Sequence, residues 1–221
     1  TRAWAGSFEA ILHRDMAGVN GRLVQECRQH RELVPIGTIN PLLPGWEHDL
    51  HQCFDKHGMP AVRVYPNYHG YTLQEPRFVQ LLEKVTAAGR FLQLASMMED
   101  TRTQHVQHQV ADVDLEPLVT LLDQMKQARV QILNWRPRAS VLEKLAKKAG
   151  IFFDTARAEG TDGVPQLVEA VGKQRVMFGS HAPFLIPEAA LIRVHESSRL
   201  PESSLRPVLA ANARLLVGNG A

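Results

Sequence analysis

The sequence is short of several things, and each shortage excludes a class of protein. Its 221 residues contain only two cysteines, Cys27 and Cys53, without the spacing of a metal site. Two isolated thiols make neither a disulfide framework nor a cysteine zinc centre, so they are read as reduced thiols of a cytoplasmic protein. There is no surplus of basic charge: 25 Lys and Arg stand against 23 Asp and Glu. A nucleic-acid partner, which needs phosphate-neutralising cations, is therefore not expected. No apolar run reaches the roughly 18 residues a spanning helix requires, so no membrane partner is expected either. Thr1 to Ser7 lack a charged segment followed by an apolar one, and no signal peptide is visible. The chain also lacks an initial methionine and begins as if inside a strand, so it is expected to be N-terminally incomplete.

What the chain has is alternation. Short apolar runs, rich in β-branched and aromatic residues, recur at Arg2–Gly6, Val34–Ile39, Ala61–Tyr65, Phe91–Ala95, Val130–Leu133, Ile151–Phe153 and Val176–Phe178. Runs of this kind suit strands buried on both faces. Between several of them lie helical stripes. Phe78, Leu81, Leu82 and Val85 form one, Leu118, Leu121, Leu122 and Met125 another, and Val164, Leu167, Val168 and Val171 a third. A shorter stripe, Trp46, Leu50, Cys53 and Phe54, ends at Gly58. Strand and helix in turn imply parallel strands with crossover helices. The length suits one domain spanning residues 1–221, an α/β protein of the (β/α)₈ TIM-barrel type, which typically takes about 250 residues. Seven strands do not close such a barrel, so its first strand is expected to be missing from this chain. An open doubly wound sheet is the alternative.

In a barrel the chemistry gathers at the C-terminal ends of the strands. Those positions carry Arg63 and Tyr65, two apart and so on one face, then His69. They also carry Glu99 and His105 in a long polar stretch after the fourth strand, Asn134, Asp154, and His181. An arginine within so short a strand is costly to bury alone and is expected to face a carboxylate, Asp154 or Glu99. Each residue also has a plainer reading: a structural ion pair for Arg63, an exposed helix start for His13, Arg14 and Asp15, solvated loop positions for His105 and His108.

The segment Arg175-Val176-Met177-Phe178-Gly179-Ser180-His181-Ala182-Pro183 resembles the last-strand motif of the amidohydrolase-related family, R-I/V-L/M-F/Y-G-S-D-x-P. These are metal-dependent hydrolases and decarboxylases, including those similar to aminocarboxymuconate-semialdehyde decarboxylase. Asn212-Ala213-Arg214-Leu215-Leu216 resembles the closing helix of the family, Ala61–Pro66 a middle strand, and Ile39-Asn40-Pro41 an earlier turn. The resemblance implies a TIM barrel with a divalent metal, usually zinc. It would be held by His-x-His on the first strand, one histidine on each of two middle strands, and an aspartate on the last. Here those last three positions carry Ala95, Asn134 and His181. Alanine donates nothing and asparagine is a poor zinc ligand. No metal ligand is therefore assigned and no cofactor is expected, zinc entering only if the family site persists in altered form.

The function expected is that of a TIM-barrel hydrolase or lyase with a degenerate metal site, acting on a small carboxylate- or carbonyl-bearing molecule. His181, Asp154 and Glu99 are its candidate catalytic residues; Arg63, Tyr65, His69, Asn134 and His105 are its candidate substrate contacts. The alternatives are a non-catalytic barrel that binds a small molecule or a partner, and a zinc enzyme with relocated ligands. A homo-oligomer is compatible with either.

Overall fold

The computed structural model describes residues 2–99, 102 and 104–217. Eight short strands appear: β1 (Ala3–Ala5), β2 (Leu33–Pro35), β3 (Gly37–Thr38), β4 (Ala61–Val64), β5 (Phe91–Ala95), β6 (Val130–Leu133), β7 (Ile151–Asp154) and β8 (Val176–Met177). Every pairing is parallel, and the order along the wall follows the chain: β1 with β2, then β3 through β8. The seven apolar runs are thus all strands. The second is broken at Ile36, which splits it between two ladders. Ile36 bridges the break, its amide donating to the Ala5 carbonyl while its side chain is fully buried. Among the described residues β1 and β8 do not pair with each other, which leaves a seam.

Around this wall run α1 (Met16–Arg28), α2 (Trp46–His51), α3 (Pro76–Ala87), α4 (Glu116–Gln124), α5 (Ala139–Ala146), α6 (Gly163–Val171), α7 (Pro187–His195), α8 (Glu202–Arg206) and α9 (Asn212–Val217). Local chemistry explains the boundaries. Asp15 caps α1 by accepting from the Gly18 amide at 2.9 Å, so His13, Arg14 and Asp15 do form an exposed helix start. α3 opens on Pro76 and turns the expected stripe, Phe78, Leu81, Leu82 and Val85, into the core. α2 is extended by a π turn over Gln52–Lys56, which keeps Cys53 and Phe54 buried beside Trp46 and Leu50.

Strand alternation sorts the core into two shells. Leu92 and Leu94 of β5 face outward with Val62, Val64, Val130 and Ile132, packing under the helices. Burying each such side chain stabilises by roughly 1.5–3 kcal/mol. The inward positions form layers. Ile36, Ala61, Phe91 and Met177 fill the base together with Leu216 of α9. Above them Thr38, Arg63, Gln93 and Gln131 stand in register on four neighbouring strands. Tyr65, Ala95 and Met98 pack at the top with Ala10, Met16 and Val19. The middle layer is polar, where a barrel ordinarily carries branched apolar side chains.

Candidate active site at the barrel mouth

The mouth is organised by Asn134, which follows β6 directly. Its backbone is left-handed, with φ of 56°, and its side chain is completely buried. Each polar atom of that side chain is used. The amide nitrogen donates to the carbonyls of Met97 at 2.6 Å and Met98 at 3.1 Å. The amide oxygen accepts from Arg157 Nε at 3.2 Å. Its backbone amide donates to Asp154 Oδ1 at 3.0 Å. Asn134 therefore ties β6, β7 and the segment after β5 into one unit.

Asp154 ends β7 and is buried. Oδ1 also accepts from the Ala156 amide at 3.3 Å, while Oδ2 lies against Gly179, where an added Cβ would come within 2.7 Å. Burial pushes its carboxyl up to about 6, against the pull of these two amides and of the Arg63 and Arg157 charges.

His181 also has a left-handed backbone, φ 51°, in a region rarely populated by residues other than glycine, asparagine, aspartate and histidine. Its ring stacks on Phe184 at 5.4 Å and meets the edge of Phe8 at 6.3 Å. Nε2 lies 2.6 Å from the Met98 carbonyl and must donate to it, which makes Nδ1 the lone-pair nitrogen. The nearby Asn134 amide nitrogen, at 3.0 Å, is itself a donor and is already spent on carbonyls. Burial lowers the imidazole to about 4, and the two arginine charges push the same way against the Met98 hydrogen bond. His181 is therefore neutral at pH 7. The sequence places Asp154 and His181 at the ends of adjacent strands, from which a hydrogen bond favouring imidazolium is expected; none is formed. Each side chain is turned to a backbone group instead.

Arg63 corrects a second expectation. It bonds no carboxylate, reaching Asp154 only through its charge: Nε and Nη2 both donate to Gln93 Oε1, at 3.0 and 2.8 Å. Its guanidinium lies against Gly6, where a Cβ would meet Nη1 at 2.5 Å. Tyr65, two residues on, is fully buried, and its hydroxyl has no hydrogen-bond partner. His69 donates from Nε2 to the Ala10 carbonyl at 2.9 Å, and its Nδ1 is buried without a partner. Burial lowers its pKa, so it too is neutral. It lines an open cleft of about 340 Å³ with Asn40, Tyr68 and Arg14, at the rim rather than the centre.

The described part of the long loop after β5 lies over the mouth and is held there largely by uncharged groups. Asn67 donates to the Ser96 and Ala111 carbonyls, Gln104 to the Tyr68 hydroxyl, and the Val113 amide to the Ser96 carbonyl. His105 is exposed and caps the short turn Val106–His108. Arg102 is exposed, and Asp100 lies outside the described residues. Glu99 is part-buried and its charge is felt by Tyr68, not by His181 or Asp154. Arg63, Tyr65, Asn134, Asp154 and His181 thus belong to the mouth, whereas His69 sits on its rim and Glu99 and His105 belong to its cover.

Sequence reasoning missed Arg157. It is 2% exposed, bonds Asn134 through Nε, and lies 3.5 Å from Glu159 through Nη1. Its Nη2 is buried without a partner. The signal was present: an arginine three residues past a strand that ends in aspartate.

A divalent metal does not fit the residues described. Ala95 offers no donor atom, the Asn134 oxygen is taken by Arg157, and His181 Nε2 is committed to Met98. Two guanidinium charges bear on the same space. Among the described residues no three His, Cys, Asp or Glu side chains come together to hold a metal.

No protein-family model matches the sequence, and no curated protein does. Solved structures do. A 2,6-dihydroxybenzoate decarboxylase from Rhizobium aligns over 95% of this chain and 78% of its own, at 13% identity and a TM-score of 0.71. A 5-carboxyvanillate decarboxylase from Novosphingobium aromaticivorans, complexed with manganese, aligns over 98% and 76%, at 12% identity and a TM-score of 0.71. An uncharacterised TIM-barrel protein from Bordetella bronchiseptica aligns over 96% and 82%, at 12% identity and a TM-score of 0.73. At these identities the likeness is one of fold. The chain therefore has the TIM-barrel fold shared by these aromatic-acid decarboxylases, the fold that its last-strand motif led one to expect.

Proposed function

We propose that this chain, residues 1–221, is a single barrel domain and a lyase or hydrolase of the amidohydrolase-related kind. It acts on a small carboxylate- or carbonyl-bearing molecule, with guanidinium charges bearing on the mouth. One observation carries the reading: the charges of Arg63 and Arg157 both bear on Asp154 and His181, and neither arginine has a buried acid as its ion-pair partner. Paired guanidinium groups suit bidentate capture of a carboxylate. The decarboxylases among the structural neighbours act on aromatic carboxylates, which supports that substrate class.

In this reading Arg63 and Arg157 hold the anion and Tyr65 donates its free hydroxyl to a second substrate oxygen. Neutral His181 accepts a proton at Nδ1. Asp154, titrating near 6, can give or take one at working pH. The test is turnover by the full chain on a panel of small aryl carboxylates, amides and lactones, followed by product formation. His181→Gln is expected to lose roughly 100-fold or more in kcat while its melting temperature holds, as loss of a general base does. No turnover of any panel member would defeat the reading.

A second reading rests on a specific observation. Asp154 Oδ1, His181 Nε2 and the whole Asn134 side chain are spent on protein groups. A barrel that binds an anion without transforming it would look the same at those atoms. It would retain Arg63-dependent binding with no product.

A further inference from the structure

The polar layer inside the barrel has an order that arginine alone decides. A guanidinium can only donate, so the group receiving two of its N–H bonds must be the oxygen of Gln93. That turns the Gln93 amide nitrogen away, where it donates to Gln131 Oε1 at 2.9 Å. Gln131 in turn points its amide nitrogen at the Met177 sulfur, 3.8 Å away. The two glutamines are 1% and 2% exposed, so water does not replace these contacts. The result is a directed chain from β4 through β5 and β6, ending on a weak neutral acceptor in β8.

The chain holds Arg63 without neutralising it. A carboxylate at position 93 would occupy the same register and satisfy the same two donors. It would also cancel the charge and convert Arg63 into half of a buried ion pair, which is scaffold. With an amide there, the charge reaches further. It is felt at both Asp154 and His181, although neither is hydrogen-bonded to it.

We infer that Gln93 is a positioning residue, and that its neutrality, backed by Gln131, reserves the Arg63 charge for an incoming carboxylate. The inference deepens the proposed function and rests on its anion-binding reading. The ligand class is a monocarboxylate small enough to reach the middle layer, discriminated from its neutral amide isostere by charge.

Calorimetric titration of the full chain with benzoate, and with benzamide as the neutral control, tests this. Wild type is expected to prefer benzoate. Gln93→Glu keeps the shape of the layer but is expected to lose roughly 10- to 100-fold in benzoate affinity, as loss of charge complementarity in a desolvated site does, with benzamide unchanged. Gln131→Glu sets the charge one strand further off and is expected to lose less, in the same direction. If Gln93→Glu fails to fold, Gln131→Glu decides alone: unchanged benzoate affinity overturns the inference. A folded Gln93→Glu that binds benzoate as wild type does overturns it too, leaving the anion-binding reading intact. Wild type showing no preference for benzoate over benzamide removes both.

Discussion

Asp154 and His181 sit in one environment and are moved in opposite directions by it, because burial penalises whichever form is charged. The aspartate carboxyl rises from 3.8 to about 6, and the imidazole falls from 6.5 to about 4. The stability consequences have opposite signs. For Asp154 the stabilising contribution is present below 3.8 and is lost as pH rises to about 6; for His181 it is present above 6.5 and is lost as pH falls toward 4. Compared with wild type at matched pH, Asp154→Asn should therefore gain stability as pH is raised across that window, while His181→Gln should gain as pH is lowered. Urea midpoints at several pH values between 4 and 7 would check both slopes, and parallel curves would contradict the burial argument. That these residues stand at the mouth was legible in the sequence, since Asp154 ends β7 and His181 follows β8 by four residues. Their partners were not. A side chain at a strand end chooses between a neighbouring side chain and a nearby carbonyl, and the Met98 carbonyl arrives from a loop whose path no local pattern specifies.

Among the described residues, the segment between β5 and α4 is held by side chains of other elements, Arg138 through Asp112 among them. Asn67 and Tyr68 hold it from one side, Asn134 and His181 from the other. Removing the Asn134 side chain while sparing its backbone isolates one of these anchors, and glycine is the replacement that tolerates φ near 56°. Asn134→Gly is expected to cost about 1–3 kcal/mol, since the Met97, Met98 and Arg157 groups lose a buried partner. The Val113 amide, bonded to the Ser96 carbonyl, should exchange faster than the amides of β5. Equal protection across the two would mean that the loop does not open independently. The strands themselves were readable because burial on both faces leaves short, nearly continuous apolar runs; the break at Ile36 was not, since the run continues through it. α5 and α8 escaped notice for a related reason. The stripe of α5 is short, only Val141, Leu142 and Leu145 packing on the core, and in α8 only Ser204 is buried.

At the scale of the molecule, the seam between β8 and β1 is managed from the C-terminal side. The Phe178 amide donates to the Val208 carbonyl at 2.7 Å. Asn212 donates to the carbonyls of Lys173 and Val176, both at 2.7 Å. On the edge away from β7, the last strand thus finds partners in the closing helices rather than in a second strand. Leu216 reaches further and packs under the barrel with Phe91 and Ile36. Asn212→Ala should cost about 1–3 kcal/mol, because a buried carbonyl at Val176 loses its donor; a loss below about 0.5 kcal/mol in chemical denaturation would show the carbonyl served otherwise. The closing motif was visible in the sequence as a resemblance, but its task of strapping the final strand emerges only from the pairing.

That strap has a consequence for how the chain comes into being. Synthesis delivers the strands in spatial order, each beside the one before it, so the wall can assemble as it emerges. The base cannot. Phe91 and Ile36 wait for Leu216, made more than a hundred residues after the first of them. Until α9 has emerged from the ribosome, the nascent wall offers an uncovered apolar floor and an unstrapped final strand. The interval before α9 emerges is when the uncovered floor is most open to chaperones and to aggregation.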